Sequence, residues 1–219
     1  MMRNSTDLIV DQLAAELRPV KPLRSPIVYA ALWLSVSTVF VGILVAHHGM
    51  RPDIGTLLAE PGYRMLFLAC AGTAILGAVA TFLVSLPDRS PYWALLPLPA
   101  LALWFAGTGI GCYADWVQFG SGGMMTGTSF GCLGWIIAAS LPLDVLLVVM
   151  IRHAAFVRPR LALTIGMMSA AALASAGLML FHEIETTLMI FIWHGAAVLF
   201  LSGLAGAGVP VFRRLAGSA

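Results

Sequence analysis

Apolar and polar residues in this chain separate into long blocks. Six apolar runs stand between short polar joints, roughly Pro26–Ala46, Met65–Leu86, Tyr92–Gly111, Ser129–Ile151, Leu161–Phe181 and Thr187–Gly208. A helix of about 20 residues crosses the hydrocarbon core of a bilayer, so each run is long enough. The alternation of a barrel strand is absent, and an open strand could not satisfy its backbone in lipid. The pattern predicts an all-α membrane protein with six transmembrane helices over residues 26–208. Residues 1–25 form a leader and residues 209–219 a short tail. No small-residue cleavage site follows the first run, so it reads as a spanning helix and not as a removable signal peptide.

Composition agrees with this solvent. Hydrophobic residues make up 60% of the chain and charged residues 10%. Soluble domains carry about 25% charged residues, so this chain lacks the polar surface to fold around one aqueous core.

The leader has a different pattern. In "STDLIVDQLAAELRPVKPLRSP", Ser5 or Thr6 can cap a helix and Asp7 suits its first turn. Ile9, Leu13 and Leu17 then recur at helical spacing, with Leu8 and Val20 beside them. Asp7, Asp11, Gln12 and Glu16 take the other sides, and Pro19 and Pro22 end the element. So short a helix is marginal alone in water and needs a surface to lie on. Anionic lipid would repel its acids. A protein groove with an apolar floor and a basic rim fits it better, which makes Leu8, Ile9, Leu13 and Leu17 the candidate partner-binding residues.

Lys and Arg set the orientation. With six spans both termini share one side. That side holds ten of the 12 basic residues, and the other holds only Arg51 and Arg64. Basic residues mark cytoplasmic loops, so both termini are expected in the cytoplasm. The net charge of +2 points to no nucleic-acid partner.

Candidate chemistry gathers on the opposite side. The stretch "FHEIETTLMIFIWHG" places His182, Glu183 and Glu185 in the turn between the fifth and sixth runs and His194 about two turns further on. These ligand types suit zinc or another transition metal acting as a signal, although no CxxC or HExxH spacing occurs. His47 and His48 end the first run. Cys70, Cys112 and Cys132 also fall in the outer half, while His153 is cytoplasmic. Cys112 and Cys132 flank one glycine-rich loop, so a disulfide competes with metal binding, and packing alone accounts for any single one of these residues.

Asp144 lies inside the fourth run, just after Pro142. An intramembrane carboxylate is a functional candidate by default. It supports a small transporter or proton-coupled carrier using Asp144 and His194, or else a buried bond that orders the bundle. No matched pair of broken helices marks a transporter repeat. A membrane enzyme ranks last, because no recognisable nucleophile accompanies the outer turn.

Taken together, "TDLIVDQLAAELRPVKPLRSP", "SFGCLGWIIAASLPLDVLLVVMIRHAAFVRPRLA" and "LMLFHEIETTLMIFIWHGAAVL" resemble the bacterial membrane anti-sigma factors called negative regulator of sigma F. The resemblance spans nearly the whole chain. It implies a multi-pass protein of the bacterial inner membrane whose leader keeps an extracytoplasmic-function sigma factor from RNA polymerase until a periplasmic or membrane stress signal arrives. Members of the family are tied to metal and oxidative stress, some through paired cysteines, and Cys132 corresponds to one of these. Where some relatives carry a second cysteine followed by proline, this chain has His182-Glu183-Ile184. The candidate sensor is therefore drawn from Cys112, Cys132, His182, Glu183, Glu185 and His194.

Overall fold

Proline and glycine set most of the helix boundaries in the computed structural model of the chain, which describes residues 5–15, 25–124, 130–152, 157–182 and 187–217. Every regular element among these is helical. The leader helix α1 spans Ser5–Ala15. The helix α2 spans Pro26–His48 and has Pro26 in its first turn, where a missing N–H costs nothing. Gly49 ends it at φ 86°, a backbone conformation that disfavours side-chain-bearing residues. A short α3, Ile54–Ala59, precedes α4, Pro61–Val84. The remaining long helices are α5 (Leu98–Phe119), α6 (Phe130–Ile151), α7 (Pro159–Met179) and α8 (Thr187–Gly217). Six helices are long and apolar enough to cross a membrane, as the hydrophobic pattern predicts.

The boundaries differ most from the sequence-based ones at the third run and at the end of the chain. The third run was expected at Tyr92–Gly111, but Pro91–Leu95 forms a single 3-10 turn and α5 begins only at Leu98. Pro97 and Pro99 lack the N–H groups that an interior helical position must donate, so they fall at the helix start. The helix is displaced toward Phe119, which brings Cys112 and Asp115 inside it. At the other end of the chain, α8 passes through Pro210 to Gly217, so the expected tail begins as helix.

Helix α7 is the hub. In its most apolar stretch 72% of residues are buried, against 17% for the Pro91–Gly122 stretch. Its sequence, "PRLALTIGMMSAAALASAGLM", explains this. Lipid tails are as apolar as leucine side chains, so helices in a bilayer associate through close contact, and small residues permit it. Val41 of α2 and Trp135 of α6 occupy the space beside Gly177, while Leu147 of α6 and Thr81 of α4 occupy it beside Gly166. Ala171, Ala174 and Leu178 pack with Ala197 and Leu201 of α8. One row of bulky residues faces outward. On α2, Leu32, Val36, Val39 and Ile43 are exposed, and such a face suits lipid.

Two buried hydrogen bonds tie helices across the bundle. Trp33 on α2 donates its indole N–H to the carbonyl of Leu143 at 3.1 Å, and Ser169 donates to the carbonyl of Ala74 at 2.6 Å. The first bond lands beside Pro142, and α6 runs unbroken through that proline.

The glycines should rank by what an added methyl meets. Gly177→Ala drives a Cβ into Val41, whose branched side chain is stiff, and should cost about 1–3 kcal/mol. Gly166→Ala meets the mobile tips of Leu147 and should cost less, while Gly203→Ala meets nothing within 4 Å and should cost nothing. Thermal unfolding of the purified protein in detergent checks the order. Adding Val41→Ala should restore part of the Gly177→Ala loss.

Candidate functional site

The helices alternate in direction, so one end of the bundle carries the joints α2–α3, α5–α6 and α7–α8. We call it the distal end, since the leader joins the other. The distal end is organised around the turn that follows α7.

Beyond Gly49 the chain folds back over this turn. The Arg51 N–H donates to the carbonyl of Leu180 at 3.1 Å, and Arg51 Nη1 donates to the carbonyl of His182 at 3.2 Å. The same guanidinium grips Asp53, with Nε to Oδ1 at 2.6 Å and Nη2 to Oδ2 at 2.8 Å. Arginine's planar fork suits a paired carboxylate and still leaves an N–H for a carbonyl. The bonded guanidinium holds the Asp53 carboxyl below the usual carboxylate range. Nearby, Tyr63 of α4 donates its hydroxyl to the carbonyl of Met179. The last carbonyls of α7, which have no partner within the helix, thus receive donors from elsewhere.

Aromatic side chains sit beneath. The His48 ring stacks on Phe181 at 4.7 Å between centroids, and Trp135 meets Phe181 edge-on at 5.1 Å. His48 Nδ1 lies 2.8 Å from the carbonyl of Leu44 and must donate to it, which fixes the tautomer.

The far side of the turn is held by α5. The Thr187 N–H, the first of α8, donates to Asp115 Oδ2 at 2.8 Å. A carboxylate there also opposes the positive end of the helix dipole. Gly111 makes the approach possible, since a Cβ on it would lie 2.6 Å from the Thr187 methyl carbon. Both ends of the α7–α8 joint are therefore anchored, one by Arg51 and the other by Asp115.

The sequence-predicted residues distribute as follows. His182 stands at this rim, and its N–H donates to the carbonyl of Leu178 at 2.9 Å. Glu183 and Glu185 lie outside the described residues. His194 is 2% exposed and lines a cavity of about 320 Å³ between α4, α5, α7 and α8. No set of three or more His, Cys, Asp or Glu side chains among the described residues is placed to hold a metal. Cys112 is a free, half-buried thiol within α5, so the disulfide with Cys132 that competed with metal binding is not formed here. Helix α5 continues past Cys112 to Phe119 before the chain turns back. Cys132 is buried against Ile136 and Met189.

Asp144 is 3% exposed, and neither carboxylate oxygen has a partner among the described residues. It does not line the cavity that receives His194. In the leader, Ile9 and Leu13 are exposed, Leu8 lies on the helix, and Leu17 lies outside the described residues. Sequence reasoning missed Arg51, Asp53 and Asp115, whose partners on the turn appear only in the fold.

Comparison with known protein families matches residues 13–214 to the one described as negative regulator of sigma F. The chain belongs to that family. The match takes in all six long apolar helices and the end of α1. No curated protein and no solved structure matches the chain. For this negative regulator of sigma F family member, the name implies interaction with a sigma factor. The six helices accord with a multi-pass membrane protein.

Arg51→Ala should loosen the distal turn selectively. A hydrogen bond from a charged donor contributes about 1.5–3 kcal/mol, so the amide of residue 51 should exchange its hydrogen at least about tenfold faster. Amides in the middle of α7 should not change. The lowered pKa of Asp53 adds a pH dependence. Its contribution is complete above the ordinary carboxylate pKa and is lost as pH falls through the depressed value. Protection of the same amide, corrected for intrinsic exchange, should decline in acid in the wild type, and the decline should vanish in Asp53→Asn.

Proposed function

We propose that this protein is a membrane anti-sigma factor. Its leader sequesters an extracytoplasmic-function sigma factor at the cytoplasmic face of a bacterial inner membrane, and a metal or oxidant stress signal received at the distal end or within the membrane releases it. Family membership supports the sigma-factor partner. The observation that carries the leader's role is the uncovered face of α1. Ile9, Val10 and Leu13 are 56%, 57% and 62% exposed. An 11-residue helix is too short to be stable alone in water, and burial of these side chains in a partner's groove would stabilise it.

The excess of Arg and Lys on the leader side supports cytoplasmic termini. Helix α2 offers the connection between signal and leader. One of its ends follows the proline-rich link from α1, and the other leads through Gly49 to the Arg51 contacts. Its 23 residues reach about 34 Å at about 1.5 Å each, enough to join the two faces. A signal at the turn acts only if it favours one arrangement of the Arg51 contacts over another. Glu183, Glu185 and His182 remain the candidate receivers at the turn, with His194 and Cys132 deeper in the bundle.

The test is co-purification of the full-length chain from membranes, with the bound protein identified. Wild type should bring down a sigma factor. Burying one large apolar side chain contributes about 1.5–3 kcal/mol, so Ile9→Asp combined with Leu13→Asp should weaken capture by about a hundredfold or more at equal membrane levels. Undiminished capture would remove the leader from the mechanism. In the carrier reading, Asp144→Asn abolishes transport in vesicles; here it should leave sigma-factor capture intact.

A further inference from the structure

Helices α2 and α4 meet at the proximal end and leave a groove toward the distal end. Proximally the rings of Tyr29 and Phe82 stack at 6.0 Å with an interplanar angle of 19° and close the seam between the two helices. Further on the seam opens into a groove of about 740 Å³. Val39, Gly42 and Val45 of α2 line one side, Phe67, Ala71 and Ile75 of α4 the other, and Ala176 and Gly177 of α7 lie between. Val39 and Ile75 are exposed, so the groove opens sideways, in the direction where a bilayer would place lipid.

Its depth and length match one leaflet. Along α2 the groove runs from Leu34 to Val45, roughly 16 Å at about 1.5 Å per residue. Half of a hydrocarbon core about 30 Å thick is about 15 Å. All three helices place it in the distal half. Val45 is nearly the last turn of α2, Phe67 lies within two turns of the start of α4, and Leu180 caps α7. The lining is hydrocarbon apart from the hydroxyls of Ser35 and Thr38, and Ser35 donates its own to the carbonyl of Ala31 at 2.8 Å.

A cation stands beyond the distal end of the groove. Arg64 precedes Phe67, Ala71 and Ile75 on α4 at the spacing of a single helix face. It sits in the first turn of α4, where a spanning helix meets lipid head groups. Arg51, the other distal arginine, is taken by Asp53. Arg64 is exposed and makes no ion pair among the described residues, although Glu60 stands one turn back. A helix of a second copy, about 10–12 Å across with its side chains, would run through both leaflets, whereas this seam is closed in the proximal one. A hydrocarbon chain with a phosphate at its outer end suits both the apolar lining and the arginine, whose guanidinium is a strong phosphate partner.

We propose that this groove binds a phospholipid of the distal leaflet, with one acyl chain lying between α2 and α4 and the phosphate on Arg64. The chain enters from the open side and ends short of the Tyr29 and Phe82 stack. This goes beyond the sigma-factor function and does not depend on it.

Titration of the full-length chain in detergent with dioleoyl phosphatidylglycerol, read by native mass spectrometry, tests it. The first phospholipid should bind at least about tenfold tighter than those that follow. Arg64→Gln should weaken that first binding about tenfold or more, the equivalent of a hydrogen bond from a charged donor. Gly42 lines the groove, and an added Cβ there meets nothing within 4 Å. Gly42→Leu should therefore fold normally, occupy the groove and weaken the first binding to a similar degree. Dioleoylglycerol, which has the same chains and no phosphate, should displace the first phospholipid poorly from the wild type. A first phospholipid bound no tighter than the rest would overturn the proposal. So would equal displacement by dioleoylglycerol, which would mean apolar filling only, or unchanged first binding in either folded variant. A lipid-free dimer that Gly42→Leu splits would assign the groove to a second copy and overturn it as well. The displacement arm needs only the wild type, so it decides the matter even if a variant does not fold.

Discussion

Close contact along α7 is the constraint on which the rest of the structure depends. In water an apolar helix face is driven inward by the solvent, but in lipid that drive is absent and packing must replace it. The chain meets this by stripping α7 of bulk. Gly177 admits Val41 and Trp135, Gly166 admits Leu147, and the Ser169 hydroxyl reaches Ala74 across the same seam. With Ala171, Ala174 and Leu178 packed on α8, four helices are held by one. The position of α7 fixes where its last residues, Met179 to His182, emerge, and the distal end is assembled around those residues.

The same solvent makes each polar atom informative. An unpaired polar group in hydrocarbon costs several kcal/mol, by the usual order of magnitude. Most hydroxyls here avoid this by bonding to a carbonyl one turn back, and Trp33 avoids it by crossing to Leu143. Asp144, Ser37, Thr73, Ser175 and His194 do not, among the described residues. Asp144 in α6 and Ser37 in α2 lie away from the His194 cavity, while the other three residues line it. That separation weighs against a single conducting path through Asp144 and His194.

What could be read from the residues follows from the range of each interaction. The six spans were legible because hydrophobic length is a local property. The start of α5 was misjudged because apolar content ran straight through Pro97 and Pro99, and the backbone requirement of those prolines outweighed it. That shift also places Cys112 inside α5 rather than at the edge of the glycine-rich loop. Arg51 looked like a marker of topology, because its partners at Leu180 and His182 lie about 130 residues away in sequence. Asp115 carried no signal at all, since an N-terminal cap supplied by another helix leaves no trace at the capped end. His194 was visible as an unusual residue, but its neighbours Thr73 and Ser175 looked like ordinary small positions on packed helices.

These contacts bear on how the proposed switch would work. A turn held only by packing would yield gradually to a perturbation. The α7–α8 joint is held by directional bonds, Arg51 to two carbonyls on one side and Asp115 to the Thr187 N–H on the other. Directional bonds are made or broken, so under the proposed function they would let the joint switch rather than yield by degrees. Arg51 follows the end of α2, whose His48 also stacks on Phe181 of the turn, and α2 is the long helix nearest in sequence to the leader. A ligand that drew Arg51 away from the His182 carbonyl would therefore act first on α2. Val41 and Val45 hold α2 against the packed core, so the helix would move as a body rather than bend. Under the proposed function, the motion of α2 would be passed on to the leader that precedes it in sequence.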